Sequence, residues 1–335
     1  MAICERNRVG DVRVRALTAL ALAGALSIGV AGAQRAGQTP RQSARTIQHV
    51  KDNLYVIPGS DGNSYPIGGR AIDPSVLTKS TGGNTAVWVT EHGVVLVDTM
   101  NPGYGTEILA QVKSVTAKPV IMIINTHTHS DHTGSNVEFP ATVDFVAHDN
   151  TKANLSQATC KPVTNCNAFK GENAKFLPKR SFKDTMTLLD GKDRIALYYF
   201  GRGHTNGDTW VVFPAVRSLH TGDMFQRKNM PFVDASDSGG NAYEFAQTVN
   251  KAAATIKGVD TVIPGHSPTT LTWNDFKEYA SFYGEFVASV QSSRKAGNSA
   301  EEAARLYKPS DKYKYYEMDA TRARQNAESI YASTR

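Results

Sequence analysis

The run His127-Thr128-His129-Ser130-Asp131-His132 sets three imidazoles and a carboxylate within six residues. Neutral imidazole and carboxylate are the ligands that zinc and similar borderline metals take. Alternation in an extended chain puts His127 and His129 on one side and leaves Asp131 and His132 to point elsewhere. Ligands that diverge in this way suit two adjacent metals better than one tetrahedral ion. Ahead of the run, Pro119 to Ile124 reads as a buried strand, and behind it Thr133 to Asn136 reads as a turn and helix start. The ligands therefore belong at the C-terminal end of a strand, a setting that a solvated histidine-rich tract lacks.

An HxHxDH run after a strand resembles the signature of the metallo-β-lactamase-fold hydrolases. Further segments resemble that family in order: Gly203 to Thr209 (GHTNGDT), Leu219 to Asp223 (LHTGD) and Val262 to His266 (VIPGH), with Gly83-Asn84-Thr85 and Val94 to Thr99 upstream. The likeness spans about Leu54 to His266. It implies that His127, His129 and His204 hold one zinc, that Asp131, His132 and His266 hold the other, and that Asp223 bridges them. It also implies that Asp98 and Asp208 support the site from outside by orienting a ligand imidazole or tying loops together. Each downstream ligand candidate follows an apolar run and adjoins glycine, as expected of ligands presented at strand ends on tight turns. Alternation turns His220 away from Asp223, so it is expected to pack. His49, His92 and His148 match no motif and read as surface or strand-end residues.

The start of the chain carries a second signal. Arg6, Arg8, Arg13 and Arg15 precede the apolar run Ala16 to Ala33, which ends in the small residues Ala31-Gly32-Ala33. This is the pattern of a secretory signal peptide at residues 1–33, with cleavage expected after Ala33. Thr18, Ser27 and three glycines in the run make a spanning anchor the weaker reading, so no stable membrane insertion is expected after cleavage. The mature protein is placed in the periplasm or outside the cell. Cys160 and Cys166 bracket a short polar segment, and in an oxidising compartment they are expected to form a disulfide that pins a local excursion near the site. The net charge of +6 falls when the arginine-rich leader goes, and the remaining basic residues are scattered, so no nucleic-acid partner is implied.

These residues must be positioned by strands near Leu54 to Ile57, Thr85 to Thr90, Val94 to Val97, Val120 to Ile124 and Val143 to Ala147. Helices are expected over Thr106 to Val115 and Ala242 to Ile256, and a strand-rich series over Met186 to Asp223. The expected α/β fold is the four-layer αββα sandwich of the resemblance, at residues 34–270. Residues 271–335 form a C-terminal helical extension packed on it. In that extension Trp273, Phe276, Tyr279, Phe282, Tyr283 and Phe286 recur at helical spacing.

Two metals sharing a carboxylate can hold a water whose pKa falls toward neutrality, and the resulting hydroxide is the expected nucleophile, oriented by Asp131. The chain lacks GxSxG, so a serine hydrolase reading has no support. An aspartate at 223 looks more like glyoxalase II thioesterases and lactonases than like typical metallo-β-lactamases, where that position commonly holds Cys or Ser. The expectation is a dinuclear Zn2+ hydrolase acting on an ester, lactone or thioester carbonyl of a small-molecule substrate. Periplasmic β-lactam hydrolysis and an iron-binding oxidoreductase are the alternatives, and iron or manganese are the alternative metals. Residues Gln226 to Gly240 follow the bridging position and read either as lining substrate entry or as a surface loop.

Overall fold

Apolar residues alternate along the strands, and this alternation builds the layers. In β4 (Val94–Val97), Val95 and Val97 face one apolar cluster while Val94 and Leu96 face another, and in β10 (Trp210–Phe213) Val211 and Phe213 part from Trp210 and Val212 in the same way. A strand buried on both faces is the mark of a sheet covered on both sides. The structure is a computed structural model and describes residues 42–60 and 80–333, so the leader expected at 1–33 lies outside the described residues.

One sheet runs in the order β1 (Gln48–Lys51), β2 (Leu54–Ile57), β3 (Thr85–Val89), β4, β5 (Val120–Ile124), β6 (Asp144–His148) and β7 (Arg180–Phe182). Its first four strands pair antiparallel, and β4 to β7 pair parallel. The other sheet runs β13 (Leu271–Thr272), β12 (Thr261–Ile263), β11 (Ser218–His220), β10, β9 (Ile195–Tyr198) and β8 (Thr185–Leu188), with β11 and β12 parallel. Between the sheets lies a cluster that includes Trp88, Val97, Ile124, Leu197, Phe213 and Ile263. Outside the first sheet, Ile108 and Val112 of α1 (Gly105–Lys113) and Leu155 of α3 (Asp149–Leu155) cover Leu96, Ile123 and Phe145. Outside the second, α4 (Ala242–Thr255) and α5 (Trp273–Lys295) cover Trp210, Val212 and Leu219. This is the expected αββα sandwich.

The C-terminal elements are α5, α6 (Ala300–Leu306) and α7 (Ala320–Ser333). Thr272 caps α5 in a reciprocal box with Asp275, and Ser299 caps α6 by accepting from the Glu302 amide at 3.1 Å. The largest apolar cluster joins Phe225 and Phe245 of the sandwich to Phe276, Tyr279, Ala327 and Ile330, so the core continues across the boundary expected at 270/271. Among the described residues no helix is long and apolar enough to cross a membrane.

Two local expectations are corrected. The helix start placed at Thr133 to Asn136 comes earlier. The amides of His132 and Thr133 return to the His129 carbonyl at 3.1 and 3.0 Å, so the short helix α2 (Ser130–Thr133) carries Asp131 and His132 itself. His148 ends β6 as expected but is not a surface residue. It is buried and stacked on Tyr199 at 3.9 Å, its Nδ1 accepts from the Asn150 amide at 3.2 Å, and its Nε2 donates to the Lys183 carbonyl at 2.8 Å. His49 and His92 are exposed.

Candidate metal centre

The ligand candidates arrive from separate strand ends. His127 and His129 follow β5, Asp131 and His132 lie on α2, His204 is in the turn after β9, Asp223 follows β11 and His266 follows β12. All seven are buried, and their donor atoms form three overlapping groups: His127, His129 and His204; His127, His132 and Asp223; and Asp131, His132 and His266. The first and third are the two triads that the sequence resemblance implied. The second spans them through Asp223, whose Oδ1 lies 3.2 Å from His132 Nε2 and 3.3 Å from His266 Nε2, while its Oδ2 lies 3.5 Å from His204 Nε2. Asp131 Oδ2 is 3.4 Å from His266 Nε2 and 3.8 Å from His132 Nε2.

The contacts on the outer side of each ring decide which nitrogen is left inward. A carbonyl or carboxylate can only accept, so the nitrogen facing it carries the proton. His204 Nδ1 donates to the Phe232 carbonyl (2.7 Å), His129 Nε2 to Asp234 (3.0 Å), His132 Nδ1 to Asp98 Oδ2 (2.7 Å) and His266 Nδ1 to the Ser60 carbonyl (3.4 Å). The Thr126 hydroxyl gives its proton to Asp98 Oδ2 (2.7 Å), which leaves its oxygen to accept from His127 Nδ1 (3.0 Å). Each ring, when neutral, is thus left with a lone pair pointing inward.

Those lone pairs face one another. His204 Nε2 lies 3.0 Å from His129 Nδ1 and 3.2 Å from His127 Nε2, and His132 Nε2 lies 3.3 Å from His266 Nε2. Two lone pairs at such distances repel unless a positive charge stands between them. Five imidazoles and two carboxylates arranged in this way fit divalent cations.

Electrostatics agree with this fit. Burial and the neighbouring imidazoles hold His127 well below the usual histidine range, and burial lowers His204 to about 4, so both stay neutral and able to ligate. Burial also disfavours charge on His132, but Asp131, Asp223 and Asp98 outweigh it and raise its pKa well above the usual value. The same three carboxylates would attract a cation placed among them. Burial opposes charge on Asp223 as well, and His266, His132 and His204 overcome it to hold the carboxyl well below its usual range.

Backbone close to the ligands leaves them room. A Cβ on Gly83 would overlap the His132 ring, and one on Gly265 would overlap the Asp223 carboxylate. Asn84 ties these two glycine turns together, its Nδ2 donating to the carbonyls of Pro264 and Ser267 at 2.8 Å each. Asp98 sits at φ 64°, a left-handed conformation that costs a non-glycine residue on the order of 1 kcal/mol, and its carboxylate also accepts from the Thr126 amide at 2.8 Å.

Asp98 is thus hydrogen-bonded to the ring of the ligand candidate His132. Asp208 ties a loop instead: it accepts from the Thr205 hydroxyl (2.7 Å) and amide (2.9 Å), fixing the turn that carries His204, and burial raises its pKa to about 6. His220 packs as expected, both ring nitrogens being used within the protein, by the Asn84 carbonyl (3.3 Å) and the Gly222 amide (3.1 Å). Cys160 and Cys166 are joined. The loop they close reaches the motif, with Thr128 Oγ1 donating to the Thr164 carbonyl (2.9 Å) and Asn165 to Thr133 Oγ1 (2.8 Å).

Sequence reasoning missed Thr126, Gln226, Asp234 and Ser238 as partners of the ligands. Gln226 Nε2 donates to Asp223 Oδ2 at 2.5 Å, and Ser238 Oγ donates to Asp234 Oδ2 at 2.5 Å. Within Gln226 to Gly240, Gln226, Asn229, Met230, Asp234 and Ser238 are buried, so the surface-loop reading is corrected: the segment forms a wall behind the ligands. The three-residue spacing from Asp223 to Gln226 in a helical turn was the one signal that could have pointed to this contact.

A family model described as the metallo-beta-lactamase superfamily matches residues 80–281. A curated metallo-beta-lactamase type 2 from Elizabethkingia meningoseptica is 25% identical over 287 residues, covering 82% of this chain and 96% of that protein. The alpha subunit of a 2,4-dinitroanisole O-demethylase from a Nocardioides strain is 29% identical over 178 residues, covering 48% of this chain and 49% of the subunit, so the chain matches about half of that relative. Among solved structures, a metallo-beta-lactamase from Pontibacter korlensis superposes with a TM-score of 0.54 at 19% identity, over 71% of this chain and 98% of the other. The DIM-1 metallo-beta-lactamase gives a TM-score of 0.54 at 20% identity, over 73% and 98%. These structural likenesses speak to the fold, and the family model covers more than half of the sequence. The chain belongs to the metallo-beta-lactamase superfamily.

Proposed function

We propose that this protein is an exported, dinuclear zinc hydrolase of a small ester, lactone or thioester. The observation that carries the metal reading is the set of five inward imidazole lone pairs around Asp131 and Asp223, each fixed by an outer hydrogen bond. Bound there, a divalent metal pair would supply Lewis acidity at a carbonyl oxygen and lower the pKa of water toward neutrality. His127, His129 and His204 would hold one ion, and Asp131, His132 and His266 the other, with Asp223 shared between them. Asp131 would also accept a hydrogen bond from the attacking water and so aim it at the carbonyl carbon. The buried Asp98 and Asp234 keep the rings of His132 and His129 from turning, so the donors need no reorganisation when substrate enters.

The carbonyl class rests on Asp223, an anionic oxygen donor in place of the Cys or Ser usual in β-lactamases of this fold. Full-length similarity to the Elizabethkingia metallo-beta-lactamase favours β-lactam hydrolysis as a second reading. Rates compared under one condition on an aryl ester, a homoserine lactone, a glutathione thioester, nitrocefin and 2,4-dinitroanisole decide between them. We expect an ester, lactone or thioester to give the highest kcat/KM. Nitrocefin leading by a wide margin would replace this reading with the β-lactamase one. Metal analysis finding iron in place of zinc would favour the oxidoreductase alternative. For export, the mass of the mature protein should correspond to a chain beginning near Gln34, and an intact leader would contradict it.

A further inference from the structure

Helix α7 lies late in the chain, beyond the residues matched by the family model, and is built mostly to pack, with Ala323, Ala327 and Ile330 in the core. Arg322 and Asn326, four residues apart on one helix face, are nevertheless also buried, at 4% and 2% exposure. Burying a guanidinium and an amide costs free energy unless their hydrogen bonds are made in place, so the positions of their partners matter. Partners of both side chains lie in the 226–238 wall. Arg322 Nη1 donates to Gln226 Oε1 (3.3 Å) and to the Met230 carbonyl (3.4 Å), and Asn326 Nδ2 donates to the Pro231 carbonyl (3.0 Å). Just before α7, Glu317 joins the same segment, its carbonyl accepting from the Met230 amide and its amide donating to the Lys228 carbonyl, both at 2.9 Å.

The segment so held is also the one that contacts the ligand candidates. Gln226 contacts Asp223, the carbonyl of Phe232 receives His204, and Asp234 receives His129. We propose that α7 is a positioning element of the metal centre, in which Arg322 and Asn326 fix the 226–238 segment and through it the orientation of Asp223, His204 and His129. Arg322 and Asn326 are positioning residues: Gln226 stands between Arg322 and Asp223, and Pro231 and Phe232 stand between Asn326 and His204. Their effect falls on the His127, His129 and His204 site and on the shared carboxylate. The site of Asp131, His132 and His266 keeps its own partners in Asp98 and Ser60. The inference rests on the metal reading given above.

The test uses the full mature protein and four variants, Arg322→Met, Arg322→Lys, Asn326→Leu and Arg324→Ala. Arg324, half-exposed on the same helix and paired to Glu328, is the control. Zinc affinity is read by competition with a chromophoric chelator, and ligand geometry by the visible spectrum of the cobalt(II)-substituted protein. We expect Arg322→Met to weaken one of two zinc sites by about 10-fold, the low end of what losing an outer partner of a ligand costs, and to alter the cobalt spectrum. Asn326→Leu should act in the same direction, Arg322→Lys should recover part of the loss, and Arg324→Ala should match wild type. Should Arg322→Met fail to fold, Asn326→Leu and Arg322→Lys carry the same comparison. Wild-type affinity and spectrum in the folded Arg322 and Asn326 variants would overturn the inference while leaving the metal reading intact. A wild-type protein that takes up neither zinc nor cobalt would remove both.

Discussion

The two halves of the candidate centre are held in different ways. Around His132 and His127, the outer contacts come from the strand framework itself: Asp98 directly follows β4, Thr126 follows β5, and both lie within a few residues of the paired strands that align them. Around His129, His204 and the outer oxygen of Asp223, the contacts come from the irregular segment 226–238, which depends for its shape on α7 about ninety residues further on. One half is thus set by sheet register, which cannot shift without turning side chains to the wrong face. The other is set by side-chain hydrogen bonds to an irregular segment, so the first half should be the more rigid and the second the more easily loosened.

The largest expected effect removes a ligand candidate that also carries the task of aiming water. Asp131→Ala should lower turnover by orders of magnitude while circular dichroism and melting show the fold retained, because a ligand and the carboxylate that aims water go together; near-normal turnover would end the proposed mechanism. Next comes a direct contrast between the halves. Asp98→Asn should weaken zinc binding by about 10- to 100-fold, and Asp234→Asn by less, since Asp98 serves His132 directly and His127 through Thr126, whereas Asp234 serves His129 alone. Chelator competition on the two variants ranks them, and the reverse order would break the comparison. A smaller effect is expected at Gly265→Ala, whose new methyl group must push the Asp223 carboxylate aside, with weaker zinc binding and an altered cobalt spectrum as readouts. The smallest is Cys160→Ser. Opening so short a loop should cost about 2 kcal/mol of stability in thermal or urea unfolding and change kcat only a few-fold, through Thr128 and Thr133.

The same contrast explains what could be read from the sequence. His127 to His132, Asp223 and His266 were legible because strand-end ligands sit in short, local patterns of apolar residues, glycine and histidine, and the sandwich was legible because strands such as Val94–Val97 and Val120–Ile124 are short apolar runs. The strands β1, β7 and β13 were not expected, being short and more exposed and held in place by neighbours far along the chain. Asp234 and Arg322 escaped for the same reason at the site. Nothing within a few residues of either marks it as a partner of the centre, and their roles arise only when a late helix closes over an irregular segment. His148 shows the limit from the other side: no motif claims it, yet its burial against Tyr199 comes from the packing of sheet ends.

The central claim is a two-ion hydrolytic centre built by seven residues. Elemental analysis of the mature protein, purified without added metal and again after zinc dialysis, tests it most directly when run beside His266→Ala. Two zinc ions per wild-type chain, with one lost in the variant, is the expected result. A single tightly held ion whose stoichiometry is unchanged by His266→Ala would contradict it.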